Sequence, residues 1–175
     1  NARRMAAEAE EIAGWARKIG HKVWVWTYPR RGEALRLPGV PSMAPKAHGA
    51  YFQRIAKDVF GSFVESESER FIYHYLNYWV FAQLAWDNGL DVGKALDGHY
   101  AKMFGAAAPE MKRFFEALEE KWMRMVGNTV DTALGPVTKA PTKHVVYTEL
   151  YALPVLATWD ALFDAAEAKT AADPD

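Results

Sequence analysis

The chain has 175 residues, a formal net charge of −1 and no cysteine, and half of its residues are apolar. This composition excludes a disordered chain, a disulfide framework and any metal site built on thiolates. The balanced charge argues against nucleic acid as a partner, because no excess of positive charge is present to hold a phosphate backbone. Seven tryptophans are many for this length, and this surplus of rings needs an explanation in the fold or in a ligand.

The chain starts with Asn1-Ala2 and has no initiator methionine, so we expect an excised segment of a longer protein. The longest apolar run covers only residues 78–82, whereas a membrane-spanning helix needs about 20 residues. We therefore expect no membrane partner, and the sequence leaves the compartment open.

Residues 3–19 predict a helix rich in alanine, glutamate and arginine, which ends at Gly20. The next residues, 21–28, are β-branched and aromatic with apolar residues on both faces. This pattern predicts a strand buried on both sides, as in a parallel sheet. Pro29 ends the strand because it has no N–H for the ladder, and residues 29–45 follow as a long loop rich in proline and arginine.

A short helix at residues 46–58 leads to a second short strand at 61–65, and this order predicts a parallel pair joined by a crossover helix. The strongest helical pattern covers residues 67–87, and Ser66 with Glu69 forms a capping-box pattern at its start. Apolar residues cover two adjacent faces of this segment. We therefore predict a helix that is buried nearly all round.

The rest of the chain is predicted to be helical apart from one loop. Three helical segments are expected, at residues 91–104, from Pro109 onwards, and at 145–170. The loop covers residues 127–143, where glycines and prolines cluster. Pro154 should break or restart the last helix, since proline does not fit a helix interior.

Rings at the end of the first strand are candidates for ligand binding. Trp24, Trp26 and Tyr28 alternate in the sequence and therefore share one face of the strand. Trp26 and Tyr28 lie at the carboxyl end, where rings can stack on sugars and polar tips can orient them. The alternative is core packing, which we expect for Trp24 and which stays open for the other two.

Glu65 lies where the second strand gives way to a helix. A carboxylate at the carboxyl end of a barrel strand can bind sugar hydroxyls or act as an acid or base. The nearby Glu67 and Glu69 are expected to stabilise the helix N-terminus instead. The five histidines show no metal-ligand spacing, so we expect no metal and no cofactor.

The sequence around and after Glu65 resembles the DUF4838 family, found in bacterial proteins that look like glycoside hydrolases. The matching stretches are Gly61–Glu67, Phe71–Tyr73, Tyr75–Phe81, Leu84–Asp87, Leu90–Val92, Met103–Ala107 and Met111-Lys112. Upstream, Val25–Pro29 resembles a late barrel strand of that family, and the stretch from Glu149 to Ala166 resembles its C-terminal helix.

This resemblance implies a parent protein similar to hexosaminidase-like and α-glucuronidase-like barrels. The fold class would be mostly α-helical with a small parallel β portion (α/β). Residues 1–88 would hold the last strand–helix units of a TIM-like barrel, with strands near 22–28 and 61–65 and a buried helix at 67–87. Residues 89–175 would form a C-terminal helical region.

In this reading Trp26, Tyr28 and Glu65 would line one side of a sugar-binding site. The acid pair of related glycosidases comes from earlier strands, so the segment alone is not expected to be catalytic, and its catalytic residues are unknown. The expected partners are a carbohydrate, and the remainder of the parent chain or a second copy that completes the sheet. The alternatives are a stand-alone helical module that binds a glycan or a protein, and a purely structural domain.

The other tryptophans are expected to serve the fold. Trp79, Trp86, Trp122 and Trp159 lie on helix faces and are predicted to belong to the core of the helical region. Trp15 is predicted to pack its helix onto the sheet.

Overall fold

The computed structural model describes residues 2–28, 40–65 and 71–171. These residues form seven α-helices, a two-stranded parallel sheet and a two-stranded antiparallel hairpin. The prediction of a mostly helical chain with a small parallel β portion is therefore confirmed. The described residues do not form a barrel.

Helix α1 covers Ala2–Ile19 and ends, as predicted, at Gly20. The φ of Gly20 is 77°, a left-handed conformation that glycine adopts without strain. Strand β1 follows at Val23–Thr27. Residues 20–22 join the helix to the strand.

Helix α2 (Pro45–Ile55) joins β1 to strand β2 (Val59–Val64), and the two strands pair in parallel, as predicted. In the register of this pair, Trp26 lies opposite Phe63. Strand β2 begins at Val59, two residues before the predicted start at residue 61. The carboxyl ends of β1 and β2 thus lie side by side.

The prediction that β1 is buried on both sides is wrong. Trp24 is 70% exposed and Trp26 is 64% exposed, while Val23, Val25 and Thr27 on the other face are half-buried. A strand that is apolar on both faces has the same sequence pattern whether both faces are covered or one face presents rings to solvent. The expected core packing of Trp24 is wrong for the same reason.

The predicted helix 67–87 is not continuous over its described residues, 71–87. A 3₁₀ turn covers Phe71–Tyr73, and helix α3 covers Tyr75–Trp86. His74 separates them with φ −151° and ψ 8°, a conformation that is not helical. Residues 66–70, which carry the predicted capping box and Glu67, lie outside the described residues.

Helix α3 buries one face only, so the prediction of burial nearly all round is wrong. Its buried residues are Leu76, Asn77, Val80 and Leu84. Trp86 at its end is 93% exposed, which overturns the prediction that this ring belongs to the core. Part of the apolar surface of α3 is therefore exposed to solvent.

The later helices agree with the predictions. They are α4 (Val92–Phe104), α5 (Ala108–Val126), a short α6 (Lys143–Val145) that continues as a π-helical turn (Val146–Leu150), and α7 (Leu153–Thr170). Pro109 and Pro154 each lie in the first turn of a helix, where a missing N–H costs no hydrogen bond. The predicted loop 127–143 is partly wrong, because β3 (Thr129–Thr132) and β4 (Gly135–Thr138) form an antiparallel hairpin within it.

The core joins α2, α3, α4, α5 and α7, with aromatic rings in contact across it. Tyr100 stacks on Phe115 with ring centroids 5.6 Å apart. Phe114 meets the edge of Trp159 at 5.6 Å, and Trp159 is buried, as predicted. Trp79 packs against this core and Trp122 against a smaller cluster near the end of α5, and both are only partly buried.

Two buried polar side chains hold α2 in place. The amide of Asn77 accepts a hydrogen bond from the Ala44 N–H at 2.9 Å and donates one to the Ser42 carbonyl at 2.7 Å. Oε1 of Glu119, on α5, accepts from the N–H groups of Lys46 and Ala47 at 3.0 and 3.1 Å. These amides lie in the first turn of α2, so Glu119 caps that helix from another element.

Candidate functional site

The three predicted site residues lie together at the carboxyl ends of β1 and β2. The indole Nε1 of Trp26 donates a hydrogen bond to Oε2 of Glu65 over 3.1 Å. The rings of Trp26 and Tyr28 are stacked, with centroids 6.3 Å apart and 24° between their planes. The three side chains thus form one group of two rings and a carboxylate.

The register of the parallel pair explains this arrangement. Trp26 lies opposite Phe63, and Glu65 comes two residues later on the same side of β2. The Glu65 N–H donates to the Thr27 carbonyl at 3.0 Å, which extends the ladder past the end of β2. The Tyr78 hydroxyl donates to the Glu65 carbonyl at 3.2 Å, so α3 also fixes the backbone at Glu65.

Further rings continue this group along the sheet. Phe63 meets the indole of Trp26 edge-on, with centroids 4.9 Å apart, and Phe60 contacts Trp24 at 5.2 Å. Gly61 allows Trp24 to lie on the neighbouring strand, because a Cβ there would stand 2.5 Å from Cζ3 of the indole. We call the set Trp24, Trp26, Tyr28, Phe60 and Phe63 the ring face. All five side chains are exposed.

The site offers both ring stacking and hydrogen-bond acceptance. Exposed ring faces can stack on the apolar C–H faces of a sugar. A carboxylate has about four acceptor positions, so Glu65 can accept from sugar hydroxyls while it accepts from the indole of Trp26. The hydrogen bond to Glu65 also fixes the orientation of the indole.

A cleft of about 880 Å³ lies beside this site, between α1, β1, α2 and the end of α5. Every residue from Val23 to Tyr28 lines it. Because successive side chains of a strand point to opposite faces, a cleft that touches all of them runs along the edge of the strand. Within the described ranges, β1 pairs with β2 alone, so this is the edge of β1 that faces away from β2.

The cleft carries polar groups near one end of α1 and a tryptophan near the other. Nε of Arg4 pairs with Oε1 of Glu8 at 2.8 Å. Burial, reinforced by the Glu8 carboxylate, raises the pKa of Tyr51 to about 12, so its hydroxyl stays protonated. Trp15 also lines the cleft and keeps 52% of its surface exposed, and the packing of α1 onto the sheet through this ring stays a prediction.

Burial controls the protonation of His48, another residue of the cleft wall. Loss of hydration lowers the pKa of this imidazole from 6.5 to about 4, so it is neutral at pH 7. The centroid of its ring lies 6.3 Å from that of Phe52.

Sequence reasoning missed Arg4, Glu8 and Tyr51 as well as His48, because only the fold brings α1 and α2 to β1. The i, i+4 spacing of Arg4 and Glu8 was the one available signal, and it indicates only a pair on a helix surface.

His74 is fully buried and contacts the rings of Phe71 and Tyr78. Over residues 2–28, 40–65 and 71–171, no three His, Cys, Asp or Glu side chains are placed to share a metal ion. Over the same ranges, no helix combines the length and the apolar character that crossing a membrane requires.

Comparison of the chain with protein-family models, with curated proteins and with solved structures finds no match. The resemblance to the DUF4838 family therefore stays a prediction.

Proposed function

We propose that this chain is the C-terminal segment of a carbohydrate-active, glycoside-hydrolase-like protein and forms one side of a sugar-binding site. Trp26 and Tyr28 stack on the sugar, and Glu65 accepts hydrogen bonds from its hydroxyls. The observation that carries this proposal is the hydrogen bond between Trp26 and Glu65 beside the stacked Tyr28 ring, at the carboxyl ends of two parallel strands.

The exposure of Trp26 supports a binding role. A ring that serves only the fold gains most when its apolar surface leaves water, yet Trp26 stays exposed while its N–H is paired with Glu65. The polar edge of the indole is therefore held in place, and much of the ring remains accessible to a ligand. Such an oriented ring loses little conformational entropy when a sugar stacks on it.

The segment is proposed to bind sugar without cleaving it. Glycosidases place two carboxyl groups on either side of the scissile bond, at separations that depend on the stereochemical outcome. Among the described residues of the group, Glu65 provides the carboxylate, and its Oε2 accepts a hydrogen bond from the Trp26 indole. We propose that the second carboxyl group comes from the remainder of the parent protein.

A saccharide panel tests the proposal. We expect glucose, N-acetylglucosamine, galactose, xylose or their disaccharides to give saturation-transfer NMR signals and a dissociation constant measurable by calorimetry. Trp26→Ala should weaken binding about tenfold or more, and Glu65→Gln should weaken it several-fold, because each removes a direct contact. Trp86→Ala is the matched control, since that ring is exposed and lies outside the site.

Two outcomes would contradict the proposal. Either no saccharide of the panel binds at millimolar concentration, or Trp26→Ala binds as tightly as the wild type while the folded state is intact by circular dichroism.

A second candidate function is a structural one, in which the ring face packs against the remainder of the parent or a second copy. The exposure of Phe60 and Phe63 favours it, because large exposed apolar patches mark interaction sites. A concentration-dependent mass in light scattering, abolished by Phe60→Ser, would support it. A monomer at all concentrations would exclude the second copy.

A further inference from the structure

We infer that Tyr78 is a positioning residue of the sugar site: its hydroxyl holds Glu65 in place, and the sugar touches Glu65 but not Tyr78. This inference rests on the proposed function and names a further residue on which the proposed role of Glu65 depends. None of the contacts involved uses the edge of β1 that faces away from β2. A strand of the parent protein can therefore pair with that edge without affecting them.

Glu65 is held at three points by three different groups. Its N–H donates to the Thr27 carbonyl at 3.0 Å, its Oε2 accepts from the Trp26 indole at 3.1 Å, and its carbonyl accepts from the Tyr78 hydroxyl at 3.2 Å. The two backbone bonds lie on either side of the Cα atom. Together they fix the direction in which the side chain leaves the backbone, and the bond to Trp26 fixes its end.

The position of Glu65 in the chain explains why it needs this support. It follows the last residue of β2, and its side chain is exposed. Residues at the ends of elements fray most easily, and an exposed glutamate has rotamer freedom to lose when it binds a ligand. A carboxylate that is already oriented avoids part of this entropy cost and binds more tightly. The Tyr78 hydroxyl thus contributes to affinity through Glu65.

The ring of Tyr78 is itself held by the residues at the start of α3. Phe71 stacks on it with centroids 5.9 Å apart and 16° between the planes, and the fully buried His74 meets it at 5.2 Å. The adjacent Asn77 is hydrogen-bonded to the backbone of residues 42–44. The start of α3 is therefore anchored in the core, and it aims the hydroxyl of Tyr78 at the end of β2.

The hydrogen bond of Tyr78 also distinguishes positioning from direct contact. A phenol has one O–H group, and this group donates to the Glu65 carbonyl. Loss of the hydroxyl removes a hydrogen bond within the protein, so its effect on sugar affinity should vanish when the Glu65 side chain is absent. A direct contact with the sugar would keep its effect in either background.

A double-mutant cycle tests the inference by calorimetry. The probe is whichever of glucose, N-acetylglucosamine, galactose and xylose binds the wild type most tightly. We expect Tyr78→Phe to weaken binding about threefold, which is the typical worth of one hydrogen bond. The same substitution in a Glu65→Ala background should have no further effect, because no carboxylate is left to position.

The indole N–H signal of Trp26 provides a measurement that needs no sugar. It is assigned in the proton NMR spectrum by its absence in Trp26→Phe. In Tyr78→Phe it should shift towards its position in Glu65→Ala, because its acceptor is held less firmly. Tyr147→Phe is the matched control, since that tyrosine is exposed and lies on the π-helical turn outside the site. Urea unfolding verifies that each variant is folded.

The outcomes separate this inference from the proposed function. Unchanged sugar affinity in Tyr78→Phe, while Trp26→Ala weakens binding, would overturn the role of Tyr78 and leave the sugar site intact. Equal effects of Tyr78→Phe with and without the Glu65 side chain, or an unchanged Trp26 indole signal, would overturn it as well. Absence of saccharide binding to the wild type would overturn both proposals.

Discussion

In the helices, aromatic rings contact one another inside the core, whereas on β1 and β2 they contact one another at the surface. Tyr100 and Phe115 stack with centroids 5.6 Å apart, and Phe115 is 6% exposed. Trp24 and Phe60 are at 5.2 Å, yet Phe60 is 71% exposed. Ring contacts of similar length therefore occur in two very different environments.

This difference separates rings that stabilise the fold from rings that are available for binding. The free energy gained from a ring depends mainly on the apolar area removed from water, and less on the ring-to-ring contact itself. The helical rings have lost that area to the core. The ring face keeps its area exposed and can still gain from burial when a ligand or partner covers it.

The largest expected effect comes from the matched pair Phe115→Ala and Phe60→Ala. Truncation of Phe115 leaves a cavity in the core and should lower the free energy of unfolding by about 4 kcal/mol. Truncation of Phe60 should lower it by less than about 1 kcal/mol, because the ring is already in water. Urea denaturation measures both, and similar losses would abolish the distinction between the two regions.

A polar counterpart of this pair is Asn77→Ala against Asn88→Ala. Asn77 is fully buried and bonds to two backbone groups of residues 42–44. Its loss leaves those groups unpaired and should cost about 3 kcal/mol. Asn88 is exposed, and its replacement should change stability by less than about 0.5 kcal/mol. A small effect of Asn77→Ala would mean that water replaces the amide.

Acid should reveal the burial of His48. Its pKa is about 4 in the folded chain and 6.5 when solvated, so the unfolded state binds more protons between these values. Stability is then complete above about pH 6.5 and falls as the pH decreases towards 4, by roughly 2 kcal/mol at pH 4.5 from this group. His48→Phe should remove that part of the slope in denaturation curves at several pH values.

The smallest expected effect concerns the ring face itself. Gly61→Ala places a Cβ against the indole of Trp24, and because this ring is exposed it can swing away. The cost should be about 1 kcal/mol or less. The near-ultraviolet circular dichroism from Trp24 and Phe60 should decrease at the same time. An unchanged spectrum would indicate that the ring face has no fixed geometry.

Periodicity in the sequence predicted most of the helices and the parallel strand pair. Helix α1, its end at Gly20 and the starts of α5 and α7 at prolines follow from local rules. The hairpin β3–β4 was missed because its strands are four residues each and include Pro136. Such short strands carry too few apolar residues to show a period of two.

Tertiary contacts explain where local rules failed. The chain breaks at His74 between two helical stretches. The side chain of Asn77, three residues later, is hydrogen-bonded to the backbone of residues 42–44. No local sequence pattern reveals this contact. The grouping of Trp26, Tyr28 and Glu65 could be expected, because the ends of parallel strands meet. The sequence could not predict that the cleft is lined by Trp15, His48 and Tyr51, because this depends on how α1 and α2 lie against β1.

The cap that Glu119 places on α2 also bears on how the protein folds as it is synthesised. Helix α2 has 11 residues, and isolated helices of this length are marginal in water. The carboxylate that satisfies its first N–H groups lies 73 positions after Lys46. We therefore expect α2, and with it the pairing of β1 and β2, to become stable only after α5 has left the ribosome, so that the ring face is among the last surfaces to acquire its final form.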